Sequence, residues 1–205
     1  MENDKEKQQK LLNAMVEYLD CPCQVFEPMS NDNPIMAAYR EARERGEREG
    51  FIPVLVTVDE ILWESLVMNA DTDHDWNGES DFSKERVTEY RKQMLQNPLK
   101  DDREVMAQWI GERKKEAEEY NMDWDTEVLG EIAGGEAMDR FSGYWDYYTR
   151  KTYPMILAEI PVKNCWEIFA WLPFGGWNEC PDTPELMAVT KYWYGQYRAV
   201  PAVIT

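Results

Sequence analysis

Between Pro173 and Pro181 the chain crowds Phe174, Gly175, Gly176, Trp177, Asn178, Glu179 and Cys180 into one short run. Two adjacent glycines permit positive φ and close backbone approach. The amide, carboxylate and thiol that follow are groups able to contact a ligand. The run lies between an apolar segment that reads as a strand, Trp166 to Leu172, and a helix opening at Thr183-Pro184. In sheets with crossover helices, ligands sit in the mouth between a strand's carboxyl end and the next helix. A binding site is therefore expected at this junction, with Trp166, Glu167, Phe174, Gly175, Gly176, Trp177, Asn178, Glu179 and Cys180 as ligand- or partner-contacting candidates. These residue types do not name a reaction.

Cys180 is the only cysteine in that mouth. A nucleophile there needs a lowered pKa, which the following helix N-terminus favours and the adjacent Glu179 opposes. Glu159, Glu167, Glu179, Asp182 and Glu185 include enough carboxylate for an acid–base pair or a magnesium site. Sequence spacing brings no two of them together, and Asp182 and Glu185 have a simpler role at the N-terminal turn of a helix. The single histidine, His74, sits in a polar loop. It leaves no multi-histidine metal site, and any Ser–His–Asp or Cys–His arrangement would depend on it alone. Around it, Asp73, Asp75, Asn77 and Asp81 follow the ligand spacing of a calcium-binding loop, with Gly78 at the sixth position. Lys84 occupies the place of the bidentate glutamate, and Ser80 that of the apolar anchor. The reading is a solvated acidic loop, with those four residues as a weak calcium candidate. No cofactor is expected.

The elements that must position these groups follow from periodicity. Leu11, Leu12, Met15, Val16 and Leu19 recur at helical spacing, and residues 23–27 read as a short strand. Asn33-Pro34 opens a helix that ends near Gly46 or Gly50. Pro53 to Val58 is almost wholly apolar or β-branched, as in a strand buried on both faces. Asp59-Glu60 starts a helix with Ile61, Leu62, Leu66 and Val67 inward. Residues 83–120 form two charged helices broken at Asn97-Pro98, one with Val87, Tyr90 and Met94, the other with Val105, Met106, Trp109 and Ile110. A third helix is predicted from Ala137 to Tyr153. Strands return at 155–161 and 165–172, then a helix from Thr183 to about Gly195, then a strand at 201–205. The two ends of the chain repeat the order strand, loop, Asx/Thr-Pro, helix, Pro-led strand, which suggests a duplicated parallel crossover. The expected fold is α/β: a layered mixed sheet of about five strands with two strand–helix–strand crossover units and a helical insertion. It is one domain, with an N-terminal α/β part (1–82), the insertion (83–153) and a C-terminal part (154–205).

The 205 residues can bury a core without a metal or disulfide staple. With 40 acidic against 22 basic residues the net charge is −18, which argues against nucleic acid and anionic membrane surfaces as partners. No apolar stretch approaches the roughly 20 residues of a membrane span, and Met1 to Lys7 leads into no signal core. A cytoplasmic location follows, so Cys21, Cys23, Cys165 and Cys180 read as reduced thiols. Cys21-Pro22-Cys23 has one intervening residue, not the two of a redox or zinc motif, and reads as structural.

Trp166-Glu167, Phe174 through Pro181, Tyr192-Trp193 and Ala199-Val200-Pro201 resemble the domain-of-unknown-function 4253 family of bacterial proteins. The resemblance is most specific over about residues 155–205 and looser over Phe51 to Glu64. It implies no established activity. Family members carry glycine where this chain has Arg198, and continue past the last strand with further acidic residues, so a chain ending at Thr205 is expected to be shorter than they are. The functional expectation is a non-catalytic protein-recognition or immunity-type module, its acidic surface and Gly175-Gly176-Trp177-Asn178 loop meeting a basic protein partner. The alternative is an enzyme or small-ligand-binding protein with a carboxylate-containing site at the same loop.

Overall fold

The computed structural model describes residues 2–72, 81–131, 134, 138–177 and 180–205. Four strands, β1 (Cys23–Phe26), β2 (Ile52–Thr57), β3 (Met155–Ile160) and β4 (Val203–Ile204), form one sheet in the order β1-β3-β2-β4. β3 runs antiparallel to both neighbours, from Ile52↔Ile160 to Thr57↔Met155 on the β2 side, and β2 pairs parallel with β4. The two central strands read as continuous apolar runs because both of their faces are covered. Alternation along them sorts side chains between two cores. Val54, Val56, Ile156, Ala158 and Ile160 face one cluster, and Leu55, Met155 and Leu157 the other.

The first face is covered by α1 (Glu2–Leu19), α3 (Glu60–Ala70), α4 (Lys84–Gln96), α6 (Ile168–Trp171) and α7 (Thr183–Tyr197). The second is covered by α2 (Asn33–Glu49) and the segment 141–145. α5 (Asp102–Glu119) lies outside this three-layer body and packs on α7 through Val105, Ala188 and Val189. Local signals set the helix ends. Asp59 accepts from the Leu62 N–H, Asp101 from those of Arg103 and Glu104, and Asp182 from that of Glu185. Two arginines join distant pieces, one through a buried carboxylate and one through rings and a backbone carbonyl. Asp32 takes an ion pair from Arg140 and the Tyr144 hydroxyl at 2.8 Å. Arg91, 6% exposed, lies over the rings of Tyr18 and Trp171 and donates to the Tyr18 carbonyl at 2.5 Å.

Three expectations are corrected. The sheet has four strands, not about five, because residues 165–171 are helical: a 3₁₀ turn, Cys165–Glu167, runs into α6. Glu167 folds back to accept from the N–H groups of Lys163 and Asn164, both at 3.0 Å, and so starts a helical turn. The second crossover unit is therefore not strand–helix–strand, and the proposed duplication loses its matching first element. Residues 138–153 form no helix either. Trp145 bridges Thr152 across a reversal in which Asp146 accepts from Tyr148 N at 2.8 Å and Arg150 takes φ +56°. Charged helices form at α4 and α5 as expected, with α4 packed on the main core and α5 outside it. Ile61, expected inward, is exposed, and Trp63 is buried instead.

Candidate functional site

The Gly-Gly run forms a closed turn between α6 and α7. Gly175 and Gly176 take φ +102° and +73°, a region that favours glycine. Gly176 N–H donates to the carbonyls of Cys180 and Pro181, both at 3.1 Å, and Cys180 N–H to that of Trp177 at 3.0 Å. A Cβ on Gly175 would lie 2.4 Å from the Pro181 carbonyl oxygen, so only glycine fits. From α3, the Asn69 amide donates to the carbonyls of Pro173 (2.7 Å) and Gly175 (3.0 Å) and fastens the turn to the body. Phe174 points inward against Phe169, with ring centroids 5.7 Å apart, whereas Trp177 is 55% exposed.

Two open cavities meet beside this turn and share Trp109 and Arg113 of α5. The first, about 560 Å³, is bounded by Gly176, Cys180 and Pro181 and by the carboxylates of Glu112, Glu116, Asp182 and Glu185. The second, about 610 Å³, is almost wholly apolar: Met106 and Ile110 face Trp124, Val128 and Leu129 of the π-helical turn Trp124–Leu129. At their rims Arg113 pairs with Glu116, and Lys114 lies over the Trp124 ring at 5.2 Å. Lys100 bridges Glu185 (2.9 Å) and Asp182 (3.6 Å), and its hydrogen bond to Glu185 raises its pKa above the usual lysine value.

The structure divides the sequence candidates. Gly175, Gly176, Trp177 and Cys180 share the turn. Trp166 instead packs edge-on against Tyr194 at 5.8 Å and lines a different cavity. Glu167 is occupied as a helix-starting acceptor. Asn178 and Glu179 lie outside the described residues, as do His74 and the calcium candidates Asp73, Asp75 and Asn77; Asp81 is exposed. Of the other carboxylates, Glu159 pairs with Arg45, and Asp182 and Glu185 share Lys100. Among the described residues no three His, Cys, Asp or Glu side chains are placed to hold a metal. The premise of a mouth at the carboxyl edge of parallel strands is also corrected. The turn follows α6, and the strand preceding that region, β3, is antiparallel to its neighbours. Sequence reasoning missed Asn69, which carries no motif, and Trp124. Trp109 was visible as part of an apolar helical face, but not as the wall between two cavities.

Residues 156–205 match the family profile described as Domain of unknown function (DUF4253). No curated protein and no solved structure matches the chain. Within the matched segment Arg198 ends α7 in the left-handed conformation, φ +56°, so this non-glycine residue still makes the turn. Among the described residues no helix is long and apolar enough to cross a membrane.

Proposed function

We propose that the protein is a non-catalytic recognition module, of immunity type, that docks a basic amphipathic segment of a partner protein along α5. The observation that carries this reading is the junction at Trp109 of a carboxylate-lined cavity with an apolar one. A cationic end of the segment would meet Glu112, Glu116, Asp182 and Glu185, while an apolar side chain enters between Met106, Ile110 and Trp124. The exposed Trp177 adds a large rigid surface at one end, and aromatic residues dominate binding energy at such interfaces. The net charge of −18 favours the encounter with a basic partner at long range. A carboxylate-containing small-ligand site at the same turn has less support, because Glu167 is engaged in starting a helix and does not reach the turn's cavity.

The test compares immobilised wild type with Trp109→Ala, Trp177→Ala and, as a distant control, Tyr147→Ala. A basic protein retained by the wild type and the Tyr147 variant should be bound roughly thirtyfold more weakly after loss of Trp109, the scale of an interface hot spot of about 2 kcal/mol. Equal retention by all four proteins would remove the reading.

A further inference from the structure

Where β2 begins and β3 ends, a second kind of cavity opens, with the opposite sign. It measures about 530 Å³ and lies among the C-terminal ends of α2 and α7 and the turn at 162–166. Three cations from three separate elements line it, Arg43, Lys163 and Arg198, against the single carboxylate of Glu47. In a chain of net charge −18 this local excess of positive charge runs against the whole surface. None of the three cations has an ion pair among the described residues. Arg198 is held over the Tyr194 ring at 5.2 Å, and Tyr194 is in turn braced by Trp166.

The walls are aromatic: Tyr39, Phe51, Trp166 and Tyr194 all line the space. Tyr39 borders the cavity, and its hydroxyl makes no hydrogen bond to the described residues while staying accessible from the open space. The volume falls within the roughly 300–1,000 Å³ of small-molecule sites, which are mainly apolar with a few convergent polar groups. Guanidinium and ammonium groups arriving from different directions suit an anion with several oxygens. The flat walls suit a ring.

We infer that this cavity binds a phosphorylated planar heteroaromatic compound of mononucleotide size. The phosphate lies among Arg43, Lys163 and Arg198, and the ring lies against Trp166 and Tyr194 with the Tyr39 hydroxyl as a polar contact. The site is separate from the α5 surface, and neither reading depends on the other.

Calorimetric titration of the full chain with AMP, GMP, CMP and UMP, and separately with inorganic phosphate, tests it. At least one nucleotide should bind with a dissociation constant of about 1 mM or lower, and inorganic phosphate about tenfold more weakly or worse. The double variant Arg43→Glu/Lys163→Glu should lose at least about tenfold in affinity with its melting temperature unchanged. Arg198→Gly, which suits the left-handed backbone there, should give a loss of the same direction and serves as the reading if the double variant melts early. Trp109→Ala should bind the nucleotide as wild type does. The inference is overturned if none of the four nucleotides binds, if inorganic phosphate binds as tightly, or if both charge variants retain full affinity.

Discussion

Gly175 and Asn69 together decide whether the turn before α7 can exist, one by backbone and one by side chain. Replacing Gly175 with alanine forces a Cβ against the Pro181 carbonyl at a φ that L-residues disfavour by about 1–2 kcal/mol even without the clash. Asn69→Ala removes two hydrogen bonds, about 1–3 kcal/mol together. Urea titration should show both variants destabilised, with Gly175→Ala the worse; a neutral Gly175→Ala would mean that the turn is not held closed. The glycine pair was legible in the sequence because φ freedom is a property of the residue itself. Asn69 was not, since an amide more than a hundred positions away carries no local mark of its partner. Cys21 and Cys23 are free thiols, as the single residue between them implied. The interaction between the two thiols holds the Cys23 pKa below the usual thiol value; together with burial it pushes Cys21 up, and burial raises Cys165. Limiting iodoacetamide at pH 8 should therefore label Cys23 ahead of Cys21 and Cys165 in a peptide map. Faster labelling of Cys21 would contradict the direction of that interaction.

At the scale of elements, long periodic segments were readable and short apolar or aromatic ones were not. α2 announces itself by proline in its first turn, though Asn33 is not its cap, α4 and α5 by apolar spacing, and β2 by its β-branched run. Residues 165–172 combine strand-forming side chains with a helical arrangement of burial: Cys165, Ile168, Phe169 and Leu172 all face inward. The deciding local cue was Asn164 followed three residues later by Glu167, the pattern of a helix start. Over 138–153 the aromatics suggested helical spacing, but Asp146 turns the chain by accepting from the backbone, and Tyr148 is exposed while Tyr144 is buried. Tyr144 is also the contact by which this segment grips the start of α2. Its pKa is raised above the usual tyrosine value, first by burial and then by the Asp32 carboxylate that its hydroxyl faces. With the folded value above the unfolded value of about 10, this contribution is fully present below pH 10 and is lost as pH climbs beyond it. Denaturant midpoints measured from pH 8 to 11 should fall through the upper part of that range. Tyr144→Phe should start from a lower midpoint and fall less steeply; an equal slope would assign the alkaline loss to other groups.

Over the whole molecule, two opposing electrostatic effects respond to salt. One is the mutual repulsion of a net charge of −18, spread over a chain of this size. The other is attraction within pairs such as Lys7–Glu60, Lys84–Asp20 and Lys92–Glu89, which are largely exposed at both ends. Exposed pairs contribute about 0–1 kcal/mol each, and Lys92–Glu89 joins residues three apart on one helix. Repulsion acts between many charges beyond contact distance, where screening is most effective: the Debye length shrinks to about 10 Å at 0.1 M salt. The relief of repulsion should therefore exceed the loss of attraction. Raising sodium chloride from about 20 to 300 mM at pH 7 should increase the melting temperature by several degrees, since about 1 kcal/mol corresponds to roughly 2–4 °C in a domain of this size. The same addition should weaken capture of a basic partner on the α5 surface, because that encounter depends on unscreened charge. A melting temperature that fell with salt would mean that the paired carboxylates, including buried Asp32 and its Arg140, outweigh the excess charge in holding the three layers together.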